Sequence, residues 1–289
     1  MIPAAFDYVR ASSLSQAIEL LRDNPDGAKL LAGGHTLLPA LKLRLASPEL
    51  LIDIRGISEI KGIEIGETHV KIGALTTHAE LFASEPLNQI FPVFRTAASV
   101  LADPQVRNRG TIGGSLANAD PAADWPAVVL ALRAEIEIAG AAGRRTLRAE
   151  DFFLDIFTTA LKPDEVLAAI RIPRPKLGAR YTYRKIRHPA SGFAVVGVAV
   201  GVRMQDGIVN DVSIGITGAA NHAFVGKAAS ELLTGKALSR DNIDEAARML
   251  SENTECLSDR YAPAEYRADL IRVELGRALV ALSHWDEER

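Results

Sequence analysis

Two glycine pairs set in short apolar runs constrain this chain most: Gly33-Gly34 in AGGHTLL (Ala32 to Leu38) and Gly113-Gly114 in RGTIGGSLANADPAADWPA (Arg109 to Ala127). Adjacent glycines let another backbone or a ligand approach with no Cβ in the way, and successive N–H groups can then point outward as an anion-binding nest. Taken singly, such a pair reads equally as a tight strand-to-helix turn. Two of them supply two sets of donors, which suits a pyrophosphate better than a single phosphate. Neither segment matches GxGxxG or GxxxxGK[ST], so the dinucleotide fingerprint of doubly wound sheets and the P-loop are both absent. Asp120 and Asp124 cannot help hold phosphate. They can accept from sugar hydroxyls, and Asp120, followed by Pro121, also reads as the cap of a helix beginning near Ala122.

The 289 residues suffice for about two domains. Ser13 and Gln16 have capping-box spacing ahead of LSQAIELLR, where Leu14, Ala17, Ile18 and Leu21 recur at helical period. KLLA, a helical LLPALKLR and LLIDI (Leu50 to Ile54) make a strand, turn, helix, strand unit around the first glycine pair. GIEIGETHVKIGAL reads as a hairpin, TTHAELFAS and FPVFRTAASVLA as helices, and EIEIA with RRTLRA as a second hairpin. EVLAAIRIP is a strand stopped by Pro173, and RPKLGAR, with Pro175 and Gly178, is the candidate linker. Beyond it ARYTYRKI, FAVVGVAVGVRM and IVNDVSIGIT are three strands, the last two joined across Asp206-Gly207. Three helical patterns follow, the last starting near Pro263 with Leu270, Val273, Leu279 and Leu282 close to one face.

Lys+Arg 33 against Asp+Glu 36 leaves a net charge of −3, so there is no global basic field to hold nucleic acid or an anionic membrane. The single cysteine, Cys256, cannot form an intrachain disulfide, build a thiolate zinc cage or hold an iron–sulfur cluster. Any redox centre must therefore be organic or reside on a partner. Cys256 itself reads as a partly buried helix residue. The six histidines show no HxxxH or HExxH pair, which argues against a metal site, and His35 reads as a loop residue. MIPAAFDYVR lacks the regions of a secretory signal, and the longest apolar run, Phe193 to Val202, is about half a membrane span. The expected location is the cytoplasm, with a peripheral position at the inner face of the membrane as a variant.

Through MIPAAFDY, AGGHTLLPALKLRLASPELLIDI, ADPQVRNRGTIGGSLANADPAADWPA, EVLAAIRIP and PAEYR, the sequence resembles the FAD-binding medium subunits of the molybdenum hydroxylases, the xanthine oxidase family, and especially their aerobic carbon monoxide dehydrogenase branch. The resemblance implies an α+β fold. Residues 1–177 would form a two-lobed FAD-binding domain of the vanillyl-alcohol-oxidase (PCMH) type, with lobes at about 1–56 and 57–177. Residues 178–289 would form a C-terminal domain with a three-stranded antiparallel sheet and a helical bundle. It also implies non-covalent FAD on this chain, a small partner carrying two [2Fe–2S] clusters, a large partner carrying molybdopterin, and a dimer of such heterotrimers. Electrons would leave FAD for an acceptor such as a quinone or O2.

Carried over by position, the resemblance places the FAD pyrophosphate against the backbone of Ala32, Gly33, Gly34, His35 and Thr36 and against Thr111, Gly113, Gly114 and Ser115, with Lys29 and Leu37 flanking. It implies that Leu101 approaches the flavin, Asp124 accepts from the ribityl chain, the Leu167 backbone touches the cofactor, and Lys185 and Phe193 lie near the isoalloxazine. Three positions depart from the family pattern: Ser115 replaces an Asn, Phe193 a Tyr and Gly192 an Asp. The substrate, whether carbon monoxide, a purine, another N-heterocycle or an aldehyde, would be set by the large partner. The lone cysteine excludes the additional [4Fe–4S] cluster of one branch. A self-sufficient flavin oxidase or dehydrogenase acting on a small substrate is the alternative, and it would need an acid–base pair that the sequence does not offer. A flavin-free binding module is a third class.

Overall fold

Strand β3 (Leu50–Asp53) is flanked on both sides by strands that precede it, in a computed structural model that describes residues 2–283. β1 (Asp7–Arg10) and β2 (Ala28–Leu31) both pair with it in parallel, Leu50 facing Asp7 on one side and Ala28 on the other. α1 (Leu14–Asp23) makes the first crossover. Ser13 accepts from the Gln16 N–H at 3.1 Å, and Leu14, Ala17 and Leu21 bury against the sheet. The Gln16 side chain turns to Ser12 and not to Ser13, so only half of the expected capping box forms. α2 (Leu37–Lys42) makes the second crossover and carries the first glycine pair at its entrance.

β4 (Ile63–Ile65) and β5 (His69–Gly73) form the expected hairpin. Six helices follow: α3 (His78–Ala83), α4 (Glu85–Ile90), α5 (Val93–Val100), α6 (Pro104–Arg107), α7 (Ile112–Asn118) and α8 (Asp124–Ala131). The chain returns through the β6 (Glu135–Gly140) and β7 (Gly143–Arg148) hairpin, a small ribbon of β8 (Phe153–Asp155) and β9 (Thr158–Thr159), and β10 (Val166–Pro173). β10 inserts between β5 and β6, which gives a five-stranded antiparallel sheet in the order β4-β5-β10-β6-β7.

Past residues 174–178, β11 (Ala179–Arg187), β12 (Ala194–Gln205), β13 (Ile208–Thr217) and the short β14 (Phe224–Val225) make an antiparallel sheet. The sheet therefore has four strands where three are expected, because FV at 224–225 is too short to show a period. Asp206 and Gly207 both take positive φ, +53° and +76°, as a two-residue hairpin turn of this hand requires. α9 (Lys227–Leu233), α10 (Arg240–Glu252) and α11 (Ala264–Ser283) cover one face. Leu270, Leu279 and Leu282 are buried as expected, whereas Val273 is 39% exposed because α11 turns its 271, 275 and 278 positions to the sheet. Cys256 lies half-buried outside the helices, in the stretch between α10 and α11.

The opposite face of this sheet is covered by α8. Every residue of α8 is buried, and a Cβ on Gly215 of β13 would run into the Ala127 carbonyl. Thr217 Oγ1 donates to the carbonyls of Pro121 and Ala123, both at 2.7 Å, and the Ala194 N–H reaches Ala122 O at 3.1 Å. One core thus runs from Ile72 and Ile170, through Phe94, Trp125 and Val128, to Tyr183 and Ala199 of the last sheet.

Candidate functional site

The two glycine pairs, distant in sequence, pack backbone on backbone. A Cβ on Gly33 would lie 2.5 Å from the Arg109 carbonyl oxygen and 2.8 Å from Gly110 Cα, so only glycine allows this approach. Gly34 takes φ +81°, turns the chain into α2 and accepts from the Leu38 N–H at 2.9 Å. No backbone N–H from Gly33 through Leu37 donates to any group among the described residues, and His35 and Thr36 are exposed. Buried or sequestered amides are nearly always paired, so a run of free ones at the surface is a ready set of anion donors.

The second pair is built differently from the first. It is the first turn of α7 and not an open loop. Thr111 is the N-cap, its Oγ1 accepting from Gly114 N at 3.1 Å, while Ile112 N donates to Thr76 O (3.0 Å), Gly113 N to Ala74 O (2.9 Å) and Ser115 N to Thr111 O (3.0 Å). These amides are spent inside the fold. Gly113 is required because its Cα rests on Ala74, leaving no space for a side chain. Gly114 is exposed and faces Ala32, 3.8 Å from its Cβ to the position a Cβ would take. The free donors are therefore those of the first turn together with the Thr111 N–H, which makes no hydrogen bond among the described residues, and the second turn presents Gly114 and the half-buried Ser115 beside them.

Behind this junction His78 donates its backbone N–H to Gly110 O at 3.0 Å, and its ring lies under Gly110, where a Cβ would sit 2.6 Å from Nε2. Trp125 Nε1–H donates to His78 Nδ1 at 2.9 Å, which places the imidazole proton on Nε2. Burial, with smaller contributions from His35 and Arg107, lowers the His78 pKa to about 4. Sequence reading passes over this pair because a lone His and a lone Trp carry no spacing signal.

α8 begins at Asp124, with Ala123 as its N-cap, two residues beyond the expected start. Asp120 instead closes its own turn, Oδ1 accepting from Ala122 N at 2.9 Å. The Asp124 carboxylate receives the Lys185 ammonium at 2.8 and 3.0 Å and the Tyr183 hydroxyl at 2.6 Å. Burial raises the Asp124 carboxyl, and Lys185 and Tyr183 oppose that rise; burial and Asp124 together hold the Tyr183 hydroxyl protonated. Tyr183 is not among the site residues expected from the sequence, although alternation in ARYTYRKI puts 181, 183 and 185 on one face. Beside Lys185 on the same strand, Arg184 pairs with the buried Glu274 at 2.9 Å.

Leu167 lies buried beside a bulge in β10, next to Ala168, whose carbonyl accepts from Ala74 N at 3.0 Å; this sets Leu167 next to the second glycine pair. Leu101 is buried at the end of α5, its carbonyl accepting from Arg107 Nη1 at 3.0 Å. Phe193 is 44% exposed, after Gly192 at φ +73° and before Ala194, which is bonded to Ala122; it thus stands near Asp124. Lys29 is exposed on β2 and contacts none of the others. Among the described residues no group of three or more His, Cys, Asp or Glu could hold a metal ion, and no helix is long and apolar enough to cross a membrane.

Comparison with known proteins agrees with this geometry. Residues 4–175 match the family described as the FAD binding domain in molybdopterin dehydrogenase, and residues 181–282 the CO dehydrogenase flavoprotein C-terminal domain. The carbon monoxide dehydrogenase medium chain of Afipia carboxidovorans is 40% identical over 96% of this chain and 97% of its own length. The glyceraldehyde dehydrogenase medium chain of Sulfolobus acidocaldarius is 34% identical over 94% and 96%. A chain in the crystal structure of the cyanide-inactivated Cu,Mo-CO dehydrogenase superposes with TM-score 0.95 at 40% identity, over 98% of this chain and 99% of that one. With both family models matched in order and relatives aligned end to end, the chain belongs to the FAD-binding medium subunits of the molybdenum hydroxylases.

Proposed function

We propose that the chain is the electron-transfer flavoprotein subunit of a heterotrimeric molybdenum hydroxylase. In this reading it takes electrons from [2Fe–2S] clusters on a small partner and delivers them from FAD to an external acceptor. A large partner holds the molybdopterin and chooses the substrate, and two heterotrimers assemble into a dimer. The observation that carries the reading is the seating of Gly33 on Arg109–Gly110 beside a row of free N–H groups, a concave backbone surface that only glycine permits. It fits a pyrophosphate, which needs several donors and no carboxylate close by.

The amides of Gly33, Gly34, His35 and Thr36 would hold the pyrophosphate, with Ala32, Leu37, Gly114 and Ser115 shaping the walls and Thr111 and Gly113 fixing the second turn. Lys185, Phe193, Leu101 and Leu167 would line the flavin end, and Asp124 would orient the sugar-alcohol chain through its Lys185 and Tyr183 partners. FAD, when bound, supplies the exchange between one-electron and two-electron carriers; the protein supplies position and field. The buried Lys185–Asp124 pair fixes that field on the side where β11 meets α8. The division between residues 1–177 and 178–289 follows the linker at 174–178, and a cytoplasmic or peripheral location suits a chain of this surface charge.

Titration of FAD into the purified full chain, followed by flavin fluorescence, tests the reading. Saturable binding at micromolar FAD, together with co-purification of cluster-bearing and molybdenum-bearing subunits, is the expected result. No binding, or bleaching of bound FAD by a small substrate with the isolated chain alone, would overturn it.

A further inference from the structure

At the end of α8 away from Asp124, a cavity of about 140 Å³ opens between the end of β10, the 174–176 segment and strands β11 to β13. Arg133, Arg174, Lys176, Tyr181, Arg203 and Asp211 line it. Arg203 stands directly opposite Asp211 in the β12–β13 register, so these two are placed to form an ion pair. They do not. Arg133 Nη1 donates to Asp211 Oδ2 at 2.8 Å and Nη2 to Asp211 Oδ1 at 2.6 Å, and the same Nη2 also donates to Val212 O at 3.0 Å. Arg133 reaches this position from a left-handed backbone, φ +50°, which a non-glycine residue adopts only at a cost.

Arg203 keeps its Nε buried without an acceptor, and the side chains of Arg174 and Lys176 make no hydrogen bond or ion pair among the described residues; Lys176 and Arg203 reach Asp211 only through their field, which after Arg133 helps to lower its carboxyl. A buried donor without an acceptor is costly, the more so on a cation, so a fold that keeps one beside two further cations that make no hydrogen bond is set up for an anion. The carboxylate in the cavity does not repel it, because Arg133 neutralises Asp211 through both oxygens. Tyr181 is held protonated by burial and adds an O–H donor on the same wall.

We propose that this cavity binds a small phosphate-class oxyanion, with the half-buried Arg203 as its inner anchor and Arg174, Lys176 and Tyr181 completing the donor set. The arginine fork matches two oxygens of a tetrahedral anion, and the two outer cations draw it in from solvent. The site lies where the β10 end, α8 and the last sheet meet, so its occupant would touch all three.

Calorimetric titration of inorganic phosphate into the full chain, saturated with FAD so that phosphate cannot be read at the glycine turns, tests this. Sodium chloride at matched ionic strength and sodium acetate are the controls. The expected result is saturable phosphate binding, weakened at least tenfold in Arg203→Gln and measurably in the surface variant Lys176→Ala, with acetate binding more weakly than phosphate. A phosphate response no larger than that of chloride overturns the proposal. So does unchanged affinity in Arg203→Gln, and acetate binding as tightly as phosphate overturns the assignment of the anion class. Should Arg203→Gln fail to fold, Lys176→Ala and Arg174→Ala carry the same test, and unchanged affinity in both rejects it.

Discussion

Lys185 on β11 and Asp124 at the start of α8 form an ion pair at 2.8 Å with side chains only 1% and 5% exposed. Charges are left this far from water only when each has its partner, because breaking one side leaves an uncompensated buried charge at a cost of about 3–5 kcal/mol. Lys185→Met is expected to destabilise the chain by about that amount in urea denaturation. Lys185→Met combined with Asp124→Leu is expected to recover most of the loss, since an apolar pair replaces both charges. A double variant whose loss equals the sum of the two single losses would show that the two side chains act independently.

Gly33→Ala puts a Cβ 2.5 Å from the Arg109 carbonyl and must separate the two glycine turns. Overpacking of this kind costs about 1–3 kcal/mol. The expected outcome is at least a tenfold loss of FAD affinity. Gly114→Ala, whose Cβ would stay 3.8 Å from Ala32 and meets only the Thr111 hydroxyl, is expected to lose much less. Equal losses in fluorescence titrations of the two variants would place the pyrophosphate elsewhere.

His78 is neutral in the fold, with its pKa lowered to about 4 by burial. An unfolded chain would protonate it near 6.5, so between those values the unfolded state binds more protons and stability falls as pH is lowered. The contribution reaches up to about 3 kcal/mol at pH 4. Thermal unfolding followed from pH 7 to pH 4 is expected to show a steeper loss in the wild type than in His78→Gln, and parallel curves would contradict this.

Asp53 accepts from Tyr8 Oη (2.6 Å), the Arg55 backbone N–H (2.9 Å), Arg55 Nε (2.9 Å) and Nη2 (2.5 Å), with Arg55 the main cause of a carboxyl held well below its ordinary range. A depressed carboxylate stabilises the fold above its unfolded pKa and loses that contribution as pH falls through about 4 and below. Asp53→Asn is expected to cost about 1–3 kcal/mol near neutral pH and to converge on the wild type in acid. Denaturant midpoints at pH 7 and pH 3 check this: the gap between the two proteins is expected to have begun to narrow at pH 3 and to close only in stronger acid, where the folded carboxyl protonates.

What the sequence made legible was what period and turn chemistry encode. The strands around Asp206-Gly207, the hairpins at 63–73 and 135–148, and the helix headed by Ser13 all follow from alternation, helical spacing or a cap. β1 was not legible, because DYVR is mostly exposed and gains its strand character only from the pairing with β3. The paired-glycine motifs marked two turns that meet in the fold, yet they could not reveal that Gly113 serves close packing on Ala74 while Gly33 serves close packing on Arg109. Both uses look the same in sequence, since each simply omits a Cβ. The Trp125–His78 and Tyr183–Asp124 bonds were hidden for the converse reason, as single polar residues whose partners are set by tertiary contact alone.

The burial of α8 on β12 and β13 bears on how this chain can be recombined. A chimera that joins the first 177 residues of one relative to the remainder of another is cut where the chain is most exposed, but the cut leaves Ala127 facing a foreign residue at position 215. Only donors that also carry glycine there, with a threonine at 217 to reach Pro121 and Ala123, are compatible grafts. The exchangeable block is therefore residues 120–134 taken together with the last sheet, a boundary drawn by packing that runs through the middle of the cofactor-binding sequence.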